Sequence, residues 1–317
     1  MLNINAPPII KQEDLKVTAG IDSVHVLIQM NKFDLKRFCV NGRYVCKAKK
    51  VLTYQCKWFI FLADGEPITA TYHFKSRTIK FQIGKLLNYS INHNRYELVQ
   101  QLFTYFSDRK ISIGKIDIAV DINKKRDDLI VKNLSKIVSK KRVKSTTYDN
   151  AKGHVFIAYD KSNQLEIYST DLSRLELRLN TQLRSWKVND FMNNKHSFDK
   201  LVKMIDEYFR DKVKVYSNDG LTQYALNIDV DSVLTSFIAF AHGDTYKYKD
   251  HFRIKEAVEK RDKFFTWMKA NKLTPKKINR FVKGRRAAIC KELGLDSKTF
   301  KKAVDFYKAI PNFKFKK

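Results

Sequence analysis

Three short stretches alternate hydrophobic and polar residues with a period of two, and that alternation constrains this chain more than any other feature. They are Lys115-Ile-Asp-Ile-Ala-Val-Asp121, His154-Val-Phe-Ile-Ala-Tyr-Asp-Lys161 and Arg174-Leu-Glu-Leu-Arg178. Successive side chains on a strand point to opposite faces. In the first stretch Lys115, Asp117, Ala119 and Asp121 share one face, and Ile116, Ile118, Val120 and Ile122 the other. In the third, Arg174, Glu176 and Arg178 face away from Leu175, Leu177 and Leu179. Strands of this kind belong to an antiparallel sheet with one face on a core and one face polar. Tyr159 falls with Val155, Ile157 and Lys161.

The pattern extends into an α+β chain, an antiparallel sheet with packed helices. Strands are expected at Ser23–Met30, Lys57–Leu62, Thr69–Phe74 and Thr78–Ile83, with a turn at Asp64-Gly65. Asn92 or Asn94 caps a helix that carries Leu98, Leu102 and Tyr105 on one face. A strand at 112–122 follows, then a basic helical stretch at 126–140 running into Lys140-Lys-Arg-Val-Lys144. Ser197 caps a helix with Leu201, Ile205 and Tyr208 at helical spacing, and a helix at 230–241 ends at His242-Gly243. Residues 1–19, polar and containing Pro7-Pro8, read as a loose lead-in to a domain at 20–245. A linker near 243–250 precedes a basic helical module at 251–317.

Charge narrows the partner. Lys and Arg outnumber Asp and Glu by 62 to 33, a net charge of +29. A field of that size implies an anionic polymer, and nucleic acid is the expected one. The alternative is a protein with an unusually basic surface. Residues 251–317 hold 21 Lys and Arg against 6 Asp and Glu. No long apolar span, lipidation signal or signal peptide is visible, so no membrane role and a cytoplasmic location are expected. Cys39, Cys46, Cys56 and Cys290 lack zinc-ligand spacing, and none of the seven histidines forms a His-hydrophobic-His pair.

The polar strand faces carry candidate chemistry. If the strands at 115–122 and 174–179 are neighbours, Asp117 and Glu176 lie close together, with Asp121 a third acid farther along the same face. Two carboxylates without a histidine or thiol favour Mg²⁺ or Mn²⁺ over zinc. The competing reading makes these acids cross-strand ion pairs with Lys115, Arg174 and Arg178. Tyr159 is a candidate nucleophile towards phosphate, with Lys161 near it, or else a half-buried strand tyrosine. A phenol has a pKa near 10, so it needs a nearby cation to stabilise the phenolate. Tyr148 and Tyr168 compete for that role.

Residues 287–304 read as a helix-turn-helix. Ile289 and Leu293 lie on one helix, Gly294 ends it, Leu295 packs in the turn, and Asp296 or Ser297 caps the second helix. Phe300, Ala303 and Val304 face inward, which leaves Lys298, Thr299, Lys301 and Lys302 for phosphates or a groove. Arg285 and Arg286 flank the first helix. An ordinary helical hairpin with a basic face is the alternative.

The order of these segments resembles the replication initiation factor family of rolling-circle plasmids, and is similar to the gene II nicking endonuclease of filamentous phages. The resemblance covers roughly residues 20–190. It rests on Ile21–Met30, Lys80–Leu87, the helix near 94–106, Lys115-Ile-Asp117, Ala158-Tyr-Asp-Lys161 and Arg174-Leu-Glu-Leu-Arg178. It implies a covalent tyrosine at Tyr159 and metal-binding acids at Asp117 and Glu176. It further implies a metal-dependent nickase and ligase of one origin strand, working through a 5′-phosphotyrosine. Origin DNA, duplex and single-stranded, would be its partner, with a host DNA polymerase and helicase downstream and a homodimer as one possible state. Arg174 and Arg178 would then contact DNA. Two departures stand out: Lys115 replaces a frequent arginine, and Gln82 stands where a glutamate is frequent. Two rival functions are a non-catalytic origin-binding initiator or repressor, which gives the tyrosine no role, and a conjugative relaxase, which usually carries a histidine cluster. A truncation after about residue 245 is expected to retain nicking of single strands.

Overall fold

A computed structural model describes residues 11–309, apart from residues 16, 43, 52–53, 62–66, 85, 88–93, 144–145, 169, 181–194 and 242–251. The chain opens with β1 (Lys11–Leu15), β2 (Val17–Gln29), α1 (Lys32–Asn41), β3 (Val45–Val51), β4 (Gln55–Phe61), β5 (Pro67–His73) and β6 (Thr78–Ile83). It continues with α2 (Asn94–Tyr105), β7 (Ile111–Ile122), β8 (Leu129–Asn133), β9 (Ile137–Val143), β10 (Thr146–Ala151), β11 (His154–Asp160), α3 (Lys161–Leu165) and β12 (Ser173–Leu179). Then come α4 (Lys195–Glu207), a π-helical turn (Tyr208–Lys212), β13 (Val213–Ser217), β14 (Thr222–Leu226) and α5 (Val230–Ala241). Four helices close the chain: α6 (Phe252–Ala270), α7 (Ile278–Val282), α8 (Arg286–Leu293) and α9 (Ser297–Ala309).

Ten strands form one sheet in the order β3-β4-β5-β6-β2-β7-β12-β11-β10-β9, and every neighbouring pair is antiparallel. A second sheet runs β1-β14-β13-β8, with β1 parallel to β14. The expected α+β architecture is present, including the C-terminal helices. The period-two pattern sets the large sheet's core face. Ile116, Ile118, Val120 and Ile122 of β7 and Leu175, Leu177 and Leu179 of β12 join one apolar cluster. Leu98, Val99 and Leu102 of α2, Leu201 and Ile205 of α4, and Val230 and Leu234 of α5 belong to the same cluster.

The opposite face of β7 and β12 is covered as well. Leu87, Ala119, Ile167, Leu172 and Ala257 form a small apolar cluster over it. Gly20, directly opposite Ala119, makes room: a Cβ there would lie 2.6 Å from Leu87 Cδ1. The C-terminal helices have their own core of Phe264, Trp267, Met268, Ile278, Leu293, Phe300, Val304 and Tyr307, among others. They also dock on the segment after α3. Tyr307 Oη donates to the Glu166 carbonyl at 3.1 Å, Tyr168 Oη to the Lys260 carbonyl at 3.4 Å, and Arg261 Nη1 to the Leu165 carbonyl.

Several expectations are corrected. Residues 126–140 form no α-helix; a short 3₁₀ turn (Arg126–Asp128) leads into β8 and β9. Their lysines gave helical propensity, but pairing with β13 and β10 decides the conformation. Residues 11–15 and 17–19 are strand rather than loose lead-in, held by β14 and β7. Asn94 and Ser197 are the first and third residues of their helices rather than the residues before them. α1, β3, β10, β13 and β14 had no expectation attached. The Asp64-Gly65 turn, Asn92 and the linker at 243–250 lie outside the described residues, as do 1–10.

Candidate active site

The register places the polar residues of β7, β11 and β12 in rows across one face. Tyr159 is opposite Arg174, which is opposite Asp121. Ile157, Glu176 and Ala119 form the next row, and Val155, Arg178 and Asp117 the third. Asp117 and Glu176 are therefore diagonal neighbours rather than a facing pair. Arg178 Nε joins them, 2.7 Å from Glu176 Oε1 and 3.6 Å from Asp117 Oδ2.

Tyr159 ends β11 and is 8% exposed. Its hydroxyl donates to Glu176 Oε2 at 3.3 Å. Burial raises its pKa above the usual phenol value, Arg174 opposes the rise, and Glu176, Asp22 and Asp121 add to it. The next residue, Asp160, caps α3 by accepting from the Asn163 amide at 2.8 Å. That turn sets Lys161 over the ring, with Nζ 5.8 Å from the Tyr159 centroid and donating to Gln164 Oε1 at 2.7 Å. Burial, with Arg174, lowers the Lys161 pKa to about 8.

Asp117 is served on one side only. Ser23 Oγ and Lys115 Nζ both donate to Oδ2, at 2.5 and 2.6 Å, while Oδ1 is buried without a partner. Burial raises its pKa against the pull of Lys115. A buried carboxylate oxygen with no donor is costly, and either a proton or a cation relieves it.

Asp121 and Arg174 do not fill the roles expected of them. Arg174 Nε and Nη2 donate to Asp121 Oδ1 and Oδ2 at 2.6 and 2.8 Å, and Nη1 donates to Asp22 Oδ1 at 2.6 Å. Arg174 is 0% exposed, so it cannot reach a DNA phosphate, and Asp121 is committed to it rather than to a metal. Burial pulls the guanidinium pKa down, but Asp121 and Asp22 carry it well above its usual value. The ion-pair reading holds fully for this pair. It holds in part for Lys115 with Asp117 and Arg178 with Glu176. The Arg178 side chain remains 36% exposed.

Sequence reasoning missed Asp22. Strand parity puts it with Val24 on the core side, but a register shift between Ile21 and Ser23 turns it towards Arg174. Nothing in the sequence marks that bulge. Gln82 sits beside His25 and Lys115, two strands from β7 and one row away from Asp117. Burial, then Lys115 and Lys80, lower the His25 pKa to about 4. Tyr168 lies in the C-terminal core, and Tyr148 lies on the site face one strand out from Ile157.

Among the described residues, no group of three or more His, Cys, Asp or Glu could hold a metal. The donor set still fits a hard cation that takes its other ligands from phosphate or water, since Mg²⁺ commonly uses one or two carboxylates. The unpartnered Asp117 Oδ1 is the observation that supports that fit. In the helix-turn-helix, Gly294 adopts φ 63° and Asp296 caps α9 through the Thr299 amide at 2.8 Å. Arg285, Lys298, Lys301 and Lys302 are exposed, as is Arg286, whose Nη2 donates to the Ser297 carbonyl at 2.7 Å.

No family model matches the chain, and no curated protein matches it. Among solved structures it is similar to a rolling circle replication initiator protein from Geobacillus stearothermophilus, at 13% identity. The match covers 73% of this chain and 99% of that one, with a TM-score of 0.40. At that score the overlap assigns neither a family nor an activity.

Proposed function

We propose that this chain nicks and rejoins one DNA strand to initiate rolling-circle replication. The observation that carries the reading is the Tyr159 hydroxyl already hydrogen-bonded to a buried carboxylate, Glu176, with a lysine of lowered pKa over its ring. The phenol oxygen forms a bond to phosphorus as the bond from phosphorus to the 3′ oxygen breaks. The phenol proton passes to Glu176 Oε2, and the 3′ oxygen leaves as a hydroxyl with a proton taken from water. The 5′ side stays on Tyr159 as a phosphodiester, so rejoining needs no external energy source. Lys161 as an ammonium stabilises the negative charge on the phenolate and the crowded phosphorus. Asp117, through its unpartnered Oδ1, would hold a Mg²⁺ or Mn²⁺ completed by phosphate and water, which would supply further charge neutralisation at the phosphate.

The C-terminal helices would bind origin duplex through Arg285, Lys298, Lys301 and Lys302. A non-catalytic DNA-binding protein is the second reading, favoured by the Lys115–Asp117, Arg178–Glu176 and Arg174–Asp121 pairs. One experiment separates them. Labelled candidate origin DNA is incubated with protein and Mg²⁺ or Mn²⁺ and run on a denaturing gel. A covalent adduct absent in Tyr159→Phe supports nicking. An adduct that persists in that variant moves the nucleophile elsewhere, and no adduct in either protein supports the second reading.

A further inference from the structure

The large sheet is closed on one side of Tyr159 and open on the other. Towards β7 and β2, Ala119 and Gly20 are buried under Leu87, Ile167, Leu172 and Ala257. Towards β10 and β9, every row ends in an exposed residue on β9. From Arg174 outward, Tyr159 is buried, and on the outer strands Thr146 is half-buried and Val143 exposed, these two facing each other. From Glu176 outward, Ile157 is buried, Tyr148 half-buried and Lys141 exposed. From Arg178 outward, Val155 and Asn150 are half-buried and Ser139 exposed. Cross-strand partners share a face, so Lys141 and Tyr148 lie on the same face as the candidate nucleophile.

We infer that the outer face of β9 and β10 is a track for single-stranded DNA, along which the strand runs into Tyr159. This deepens the proposed function and rests on it for its direction. Tyr148 offers a ring to stack a base, with the exposed Lys141 on one side and, on the other, Arg178, which is paired with Glu176 and 36% exposed. Lys141 and Arg178 lie three strands and one row apart, about 16 Å at the usual spacing. An aromatic platform between cations is how proteins hold single strands without reading sequence. Duplex is the poorer fit, because its bases are stacked on each other and Tyr159 is too buried for a rigid rod to reach. Lys140 and Arg142 project to the other face of the sheet, as their pairing with Asp149 and Thr147 shows, and are not part of the track.

The test uses the full chain and a fluorescent 30-mer of dT, read by anisotropy, so that no bond need break and failure of the nicking reading leaves the result intact. Tyr148→Ala is expected to weaken binding about tenfold, as for loss of one stacked base, while Tyr148→Phe binds as the parent does. Lys141→Ala is expected to flatten the slope of log affinity against log salt by about 0.7. To keep the test independent of any effect of Tyr148→Ala on strand packing, the unchanged protein is also photocrosslinked to a 5-iodouracil oligonucleotide. Adducts within residues 137–151 support the track. Parental affinity in both alanine variants, or adducts confined to residues 272–309, would overturn it.

Discussion

Two acids on the same strand face, four residues apart, do different work. Asp121 neutralises a guanidinium with no exposure of its own. Removing one partner of such a buried pair strands the other charge and costs roughly 3–5 kcal/mol. Asp121→Asn is therefore expected to lower unfolding free energy by about that amount in a urea titration. Asp117→Asn should cost far less, because an amide still accepts from Ser23 and Lys115, and its main loss should be in Mn²⁺ affinity. Equal destabilisation by the two would make Asp117 a structural acid. Lys161 gives two pH trends of opposite sign. Its folded pKa of about 8 lies below the ordinary lysine value of 10.5. Between those values the unfolded chain holds a proton that the folded chain has released, so stability rises with pH across that window. Nicking, which needs the ammonium, should fall as pH rises through about 8. Lys161→Arg should keep activity above pH 8 and remove that stability slope; an unchanged pH–rate profile in the variant would exclude Lys161 as the group responsible.

At the scale of elements, the segment after α3 links the nucleophile to the C-terminal helices. Its carbonyls at Leu165 and Glu166 accept from Arg261 and Tyr307, and its Tyr168 packs on Phe264 with ring centroids 6.0 Å apart. A truncation after about residue 245 would uncover Ile167 and Leu172, each 1% exposed, and leave those carbonyls without their donors. Whether such a fragment keeps a working site is therefore a test of that linkage. Hydrogen exchange at residues 159–172 should be faster in the fragment than in the full chain, and Tyr307→Phe should show part of the same increase. Equal protection in the fragment would mean that the two parts are independent.

For the whole molecule, charge and fold contribute separately. The excess of Lys and Arg is concentrated in residues 251–317, where 21 face 6 Asp and Glu. Each phosphate contact on duplex contributes about 0.9 to the salt slope. Substituting Lys298, Lys301 and Lys302 together by Ala should flatten the duplex slope by about 2–3. The same change should leave the slope for a dT 30-mer nearly unaltered, because that strand is assigned to β9 and β10. A parallel fall in both slopes would place duplex and single strand on one surface.

The sequence alone determined the period-two strands, the core-facing Ile and Leu rows, the helix-turn-helix with its Gly294 stop, and the polar strand faces that carry Asp117 and Glu176. These follow from local stereochemistry and from which side chains water excludes. The tertiary structure decided what no local pattern contains. Cross-strand register made Asp117 and Glu176 diagonal and gave Asp121 to Arg174. A one-residue bulge brought Asp22 to the site against its parity. Sheet pairing overrode the lysine-rich stretch after Arg126 and made strands of it. Which charge neutralises which is settled by separations of a few ångströms between residues far apart in sequence, and those distances exist only once the strands have paired.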